Sequence, residues 1–139
     1  MTSDRSTALA RLREEMERPP FHLVLQPQPM DVDPVAGTVT IAMNYRDGLA
    51  RAPNERSFHG GVIAALIDLA GHAAVAVKIG RMAPTIDLRI DYLRPSDGAD
   101  LIAKARLLKA GRTVARVDID VTDAQGRLIA VGRGSFSTV

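Results

Sequence analysis

Cysteine and tryptophan are absent from the 139 residues of this sequence, and aromatic residues make up only 4% of it. Without cysteine, the chain can form no disulfide, no thiolate zinc site and no cysteine nucleophile, which fits a reducing compartment. The interior must be filled largely by Val, Ile, Leu and Ala. A hydrophobic fraction of 46% with 24% charged residues is ordinary for a globular domain.

Long apolar runs and runs of a single charge are also missing. The N-terminus has no apolar segment behind basic residues, and the longest apolar stretch, Val62 to Leu69, is interrupted by Asp68 and too short to span a bilayer. The net charge is only +2, and the Arg and Lys residues are scattered among acidic ones. We therefore predict a soluble, cytoplasmic protein that binds neither nucleic acid nor membrane, while a small anionic ligand is compatible with this charge.

A length of 139 residues is typical of a single domain, and no linker interrupts the chain. We divide it into an N-terminal helical segment, residues 1–20, and one domain, residues 21–139. In the first segment, apolar residues at helical spacing predict an amphipathic helix from Thr7 to Arg18, which Pro19 and Pro20 end.

The first half of the domain is predicted to contain two strands, a loop and a helix. His22 to Met30 is interpreted as an irregular edge strand because of its prolines, and Thr38 to Tyr45 alternates like a strand. Asp47 to Ser57 shows neither the periodicity of a helix nor that of a strand and is predicted to be a loop. From Gly60 to Ile79 the residues are apolar nearly all round, which predicts a buried helix.

Beyond this helix the sequence becomes four alternating runs separated by turn residues, which predicts an antiparallel meander. The runs are Thr85 to Leu93, Leu101 to Lys109, Thr113 to Thr122 and Leu128 to Thr138. One long apolar helix followed by four strands indicates an α+β fold, in which a curved antiparallel sheet wraps around a long central helix.

The start of the predicted helix carries the run His59-Gly60-Gly61, and Asp68 follows nine residues after the histidine. Together with Thr85 at the start of the next strand, this pattern resembles the signature of the PaaI-like, or phenylacetate-pathway type, hotdog thioesterases. The resemblance extends from about Gly37 to Phe136, most of the domain. It implies the hotdog fold and hydrolysis of an acyl-CoA thioester.

The chemistry of this motif can be argued from the residues themselves. The first N–H groups of a helix lack intrahelical partners, and Gly60 and Gly61 let a substrate approach the backbone there. The Gly60 N–H could then stabilise the oxyanion formed from a thioester carbonyl. Asp68 lies inside an apolar helix, where an ionised carboxylate is costly. We predict that it acts as a general base or as a nucleophile, and the residues leave both roles open.

The spacing of Gly60 and Asp68 bears on the number of chains in one site. The nine residues from the first to the second amount to about 13 Å of rise and two and a half turns, which we interpret as placing them on opposite faces of the helix. A thioester touched by both would contact two chains, so we predict a homodimer with sites at its interface. The resemblance implies the same arrangement, often with pairs of dimers forming a homotetramer.

Further catalytic residues are predicted in supporting roles. His59 could hold the loop that presents Gly60, because it is too far from Asp68 of its own chain for a catalytic relay. The resemblance implies an Asn or Gln shortly before the histidine, for which Asn54 is the nearest match. Thr85, at the start of the next strand, could donate its hydroxyl to the attacking water or to Asp68.

Substrate binding is predicted at Gly61, through its close approach to the ligand, and at Arg94 and Arg112, which could bind the phosphates of coenzyme A. His72, one helical turn beyond Asp68, could tune that carboxylate. We predict no metal site, since this helix face offers too few ligands, and no cofactor, since coenzyme A is part of the substrate.

Two other functions remain open on the same fold. A hydratase or dehydratase of the hotdog type would, by resemblance, carry a Glu further along the helix, and this helix has none. A non-hydrolytic acyl-CoA binding protein would use Asp68 only structurally. The acyl group, small aromatic or medium-chain aliphatic, cannot be deduced from the residues.

Overall fold

The computed structural model describes residues 2–139 and shows helices and strands in a single α+β arrangement. In chain order the elements are α1 (Thr2–Glu17), α2 (His22–Leu25), β1 (Gln28–Asp33), β2 (Thr38–Met43), a 3-10 turn (Asp47–Leu49), β3 (Ala50–Ala52), β4 (Glu55–Phe58), α3 (Gly60–Ile79), β5 (Thr85–Tyr92), β6 (Leu101–Ala110), β7 (Val114–Asp123) and β8 (Leu128–Ser137).

Six strands form one antiparallel sheet in the order β1-β2-β6-β7-β8-β5, and α3 packs against it. This is the predicted α+β architecture of a sheet around a long central helix. The predicted meander is correct for β6, β7 and β8 but wrong for β5, which pairs with β8. Short turns join β6 to β7 and β7 to β8, whereas the longer connection over residues 93–100 allows the chain to cross from one part of the sheet to another.

Helix α3 has the bounds that the sequence predicts, because both of its ends are specified locally. At its start, the His59 side chain accepts a hydrogen bond from the Gly61 N–H, and at its end Gly80 adopts a left-handed φ of 77°. Glycines also allow close packing on the sheet. A Cβ atom at Gly132 of β8 would lie 2.5 Å from Ile67 Cγ2.

Among residues 2–139, α3 is the one helix long and apolar enough to cross a membrane by length and composition, with a mean hydropathy of 1.9. Its position against the sheet accounts for this composition, because the side chains from Ile63 to Ala76 are largely buried in the core. The helix is thus the core helix of a folded domain.

The N-terminal region differs from the prediction in two ways. Helix α1 begins at Thr2 instead of Thr7 and ends at Glu17, just before the two prolines. The prediction of a strand from His22 to Met30 is wrong in its first part, because residues 22–25 form α2 and strand β1 begins only at Gln28. The N–H groups of His22 and Leu23 bond to the carbonyls of Pro19 and Pro20, so the prolines start a helical turn after ending the first helix.

The predicted loop from Asp47 to Ser57 is also partly wrong, since it contains the 3-10 turn and the two-stranded hairpin of β3 and β4. These strands have three and four residues, too few to show a periodicity in sequence. Pro53 and Asn54 form the turn between them, and Asn54 has a φ of 62°, a conformation that asparagine tolerates well.

Candidate active site

Asp68 and Thr85 meet at the centre of the candidate site. The Thr85 hydroxyl donates a hydrogen bond of 2.7 Å to Asp68 Oδ1, joining the middle of α3 to the first residue of β5. The pairing register of β5 shifts between Thr85 and Asp87, as in a β-bulge, and such an irregularity can re-aim a side chain. One carboxylate oxygen is thereby occupied, while the partly exposed side chain leaves the other available for chemistry.

A cavity of about 180 Å³ borders this pair. Its other walls come from α3, through residues such as Ala65 and Leu69, and from the segment around Phe21 that follows α1. A larger cavity of about 830 Å³ lies along the C-terminal half of α3, against α1 and the β1–β2 turn. We place the site at the smaller cavity, because the hydrogen-bonded Asp68 and Thr85 of the sequence motif line it and do not line the larger one.

The N-terminus of α3 presents one free amide. His59 Nδ1 accepts the Gly61 N–H at 2.8 Å, and a Cβ atom at Gly61 would lie only 3.0 Å from that nitrogen. As the first helical residue, Gly60 has no intrahelical acceptor, and within residues 2–139 its N–H donates to no protein group. The histidine therefore occupies one of the two glycine amides, and the other has no acceptor within residues 2–139.

Tyr92, at the end of β5, is a member of this region that sequence reasoning did not assign to the site. Its hydroxyl donates to the Gly60 carbonyl at 2.8 Å and so holds the start of α3 against β5. The two residues are separated by most of a helix and a strand, so no local pattern in the sequence could show this contact.

The separation of Gly60 and Asp68 requires one correction. The two residues are eight positions apart, which in a regular helix gives roughly 12 Å of rise and a rotation of about 80°. The prediction that they lie on opposite faces is therefore wrong. The rise remains too large for both groups to contact the same thioester from one chain.

A sequence profile described as the thioesterase superfamily matches residues 57–130, which include the helix start, Asp68 and Thr85. The chain belongs to the thioesterase superfamily. At the level of this superfamily the reaction is thioester hydrolysis, and the predicted thioesterase family and hotdog fold are confirmed.

Proteins similar in sequence to this superfamily member include a candidate esterase and an acyl-coenzyme A thioesterase. A candidate esterase of Halobacterium salinarum is 39% identical over 111 residues, which cover 72% of this chain and 73% of that protein. Human acyl-coenzyme A thioesterase 13 is 36% identical over 80 residues, covering 55% of this chain and 57% of its own length. The E. coli PaaI protein from the phenylacetic acid degradation operon has the same fold, with a TM-score of 0.85, 24% identity and coverage of 97% and 95%.

Three residues that were predicted to belong to the site of this thioesterase-superfamily protein lie apart from the Asp68–Thr85 pair. Asn54 is exposed at the β3–β4 turn, Arg94 is exposed just after β5, and Arg112 is exposed in the β6–β7 turn. Within residues 2–139, none of these side chains hydrogen-bonds to the pair or to the start of α3, so their site roles stay predictions.

His72 forms a hydrogen bond to the segment that precedes β5. Its Nε2 accepts the Ala83 N–H at 3.1 Å. Burial lowers the pKa of His72 below its usual 6.5, opposed by the carboxylates of Glu15 and Asp68. The neutral imidazole is therefore favoured at pH 7. Residues 2–139 hold no cluster of three or more His, Cys, Asp or Glu side chains suited to a metal ion.

Proposed function

We propose that this protein is an acyl-CoA thioesterase that hydrolyses a small aromatic or medium-chain acyl-CoA to the free acid and coenzyme A. The observation that carries the proposal is the 2.7 Å hydrogen bond from Thr85 to Asp68 beside a cavity, in a chain of the thioesterase superfamily. Acyl-CoA is also the substrate class in the name of the human relative. No cofactor is required, because coenzyme A is part of the substrate.

As a general base, Asp68 would take a proton from a water molecule while the water oxygen attacks the thioester carbonyl carbon. The Gly60 N–H would stabilise the resulting oxyanion, and collapse of the intermediate would break the C–S bond. The thiol of coenzyme A would then leave with the proton held by Asp68. As a nucleophile, the carboxylate would instead form an acyl anhydride as the C–S bond breaks and the coenzyme A thiolate leaves. Water would then hydrolyse the anhydride and regenerate the carboxylate, and the proton released in that step would neutralise the thiolate. Thr85 supports either route by holding Oδ1.

The site is completed, in this proposal, by a second copy of the chain. Because about 12 Å of helical rise separates Gly60 from Asp68, the amide and the carboxylate at one thioester must come from different chains. Strand β5 is the edge through which the copies would pair. The other edge, β1, contains Pro29, which has no N–H to donate to a further strand, whereas β5 contains no proline.

Side chains around β5 suit this pairing. Met82, Ile86 and Leu93 are each more than half exposed, which is unusual for large apolar residues so close together. Arg89 is flanked along the strand by aspartates, so an antiparallel copy can place an aspartate opposite the arginine. We propose a homodimer with one continuous sheet, and pairs of such dimers would give a homotetramer.

Arg94 and Arg112 are proposed to bind the phosphates of coenzyme A, since both guanidinium groups are exposed at strand ends. Asn54 is proposed to orient the water or the thioester, and Gly61 to allow close approach of the substrate. We also propose that the enzyme acts in the cytoplasm without nucleic-acid or membrane partners.

The first test measures thiol release from a panel of acyl-CoA substrates. Asp68→Asn should lower kcat by at least about 10²-fold with an intact fold, because it removes the acid–base group. Asp120→Asn, which changes an exposed aspartate on β7, is the matched control, and its kcat should equal that of the unmodified protein. Near-normal turnover in Asp68→Asn would refute the assignment, and absence of turnover by the unmodified protein on the whole panel would favour a binding function.

Gly60→Pro removes the amide hydrogen and preserves the helix. Proline is favoured at the first helical position, and the preceding His59, with φ −59° and ψ 137°, already has a conformation compatible with a following proline. A Cβ atom at Gly60 meets Tyr92 at 3.6 Å, an ordinary contact. Loss of the donor should lower kcat by about 10²- to 10³-fold.

Mixing the two variants tests whether the site is shared. In a mixed dimer of Asp68→Asn and Gly60→Pro chains, one of the two sites would combine an intact amide with an intact carboxylate. Co-expression of equal amounts should therefore restore about a quarter of the normal activity if dimers assemble at random. No recovery above the two pure variants would show that one chain supplies both groups.

A further inference from the structure

Helix α1 buries a charged side chain that its amphipathic pattern does not require. The Glu15 side chain is only 3% exposed, and its Oε1 lies 2.7 Å from Arg11 Nη2 and 3.2 Å from Arg18 Nη2. Its neighbour Glu14, which also contacts both arginines, is 53% exposed. Because a buried carboxylate is costly even when paired, the position of Glu15 calls for a role beyond ion pairing on one helix.

The second oxygen of Glu15 faces His72 on α3. Oε2 lies 3.7 Å from His72 Nδ1, while His72 Nε2 accepts the Ala83 N–H at 3.1 Å. A ring nitrogen that accepts a hydrogen bond carries no proton, so the neutral ring holds its proton at Nδ1, on the side of the carboxylate. The two contacts together favour one tautomer and one orientation of the ring.

The segment that His72 holds leads directly to the candidate site. Residues 81–84, between α3 and β5, have no regular structure and depend on individual contacts. Arg81 bonds to the Thr138 carbonyl, and Pro84 accepts the Ser137 N–H at 2.8 Å. Ala83 contributes the remaining anchor, two residues before the Thr85 hydroxyl that meets Asp68.

We propose that His72, oriented by the buried Glu15 carboxylate, is a positioning residue for the Asp68–Thr85 pair, acting through the Ala83 amide at the start of β5. Helix α1 then contributes to the site, because its Glu15 supplies the charge that selects the tautomer of His72. The inference rests on the proposed thioesterase function and assigns a role to two residues outside the reacting groups.

Nitrogen NMR on the unmodified protein tests the geometry without any substrate, and a substitution is needed only to assign the His72 signal. With ¹⁵N-labelled histidine, His72, identified by its absence from the spectrum of a His72 variant, should show the Nδ1–H tautomer at neutral pH. The Ala83 amide should exchange with solvent slowly, as expected of a hydrogen-bonded group. An Nε2–H tautomer, or an Ala83 amide that exchanges like an unstructured one, would overturn the proposal.

Two substitutions at His72 separate positioning from packing. His72→Gln keeps an acceptor oxygen near the place of Nε2, whereas His72→Leu keeps volume and removes the acceptor. We expect His72→Leu to lower kcat by about 10- to 100-fold with KM within twofold, as displacement of catalytic groups does, and His72→Gln to restore kcat to within about threefold of normal. Equal activity in the two variants would contradict the proposal.

The charge on α1 is tested by Glu15→Gln with Glu14→Gln as its control. Both remove one acid beside the same arginines, but only the first faces His72. Glu15→Gln should lower kcat several-fold and change the tautomer signal, whereas Glu14→Gln should do neither. This pair also serves if His72→Leu fails to fold. Failure of the proposed function appears differently, as no thiol release by the unmodified protein, and leaves the NMR result to decide the geometry.

Discussion

Gly132→Ala is a perturbation whose effect follows from the contact of α3 with the sheet. The added Cβ would lie 2.5 Å from Ile67 Cγ2, whereas carbon atoms pack best at about 3.5–4.0 Å. Either α3 or β8 must therefore move by about 1 Å. Ile67 is fully buried and β-branched, so rotation of its side chain cannot absorb the change.

The energetic cost should be that of overpacking, about 1–3 kcal/mol in the free energy of unfolding. For a chain of this length this corresponds to a drop in Tm of roughly 3–12 °C. Because Ile67 immediately precedes Asp68, a shift of this size should also displace the carboxylate from Thr85 and lower kcat by up to about 10²-fold.

Chemical denaturation and thiol release, measured at one protein concentration, would test both effects. Gly48→Ala is the control, because its Cβ meets no atom within 4 Å, and it should change stability by less than about 0.5 kcal/mol. The double variant Ile67→Ala with Gly132→Ala should be less destabilised than the sum of the single variants, since the new methyl then enters the space left by isoleucine. Unchanged stability and activity in Gly132→Ala would refute the reasoning.

Two further predictions concern the neighbourhood of Asp68. Thr85→Val removes the hydrogen bond to the carboxylate, worth about 1.5–3 kcal/mol for a charged acceptor, and should lower kcat about 10- to 100-fold, while Thr85→Ser should retain most activity in the same thiol-release assay. The lowered pKa of His72 means that the unfolded chain binds more protons below pH 6.5, so stability should fall as the pH drops below that value. Urea unfolding at pH 7.5 and 5.5 should show a smaller pH effect in His72→Gln, and an equal effect would contradict this prediction.

The sequence predicted α3 to the residue because its ends are set by neighbours in the chain, the His59 cap and Gly80. It also located all four strands that follow the helix, because their alternation is strong. The partner of β5 could not be predicted from alternation, since an edge strand can join either side of a sheet. The short α2 and the β3–β4 hairpin were missed because four residues or fewer cannot establish a period.

For the site, the motif identified Asp68 and Thr85, and the structure brings them together. Contacts between segments that are distant in the sequence could not be predicted. Tyr92 meets Gly60 only because β5 returns alongside the helix start, and Glu15 meets His72 only because α1 packs on α3. The sequence shows the apolar stripe of α1 but no sign that one of its acids points inward.

Helix α3 has a consequence for synthesis of the chain. A segment with the composition of a membrane span leaves the ribosome before β5, β6, β7 and β8, four of the six strands of the sheet. Strand β2 also cannot pair with β6 until β6 has been synthesised. The nascent polypeptide therefore exposes apolar surface until contacts of long sequence separation can form. Chaperone demand during translation should accordingly peak after residue 79 emerges and decline once the C-terminal strands are complete.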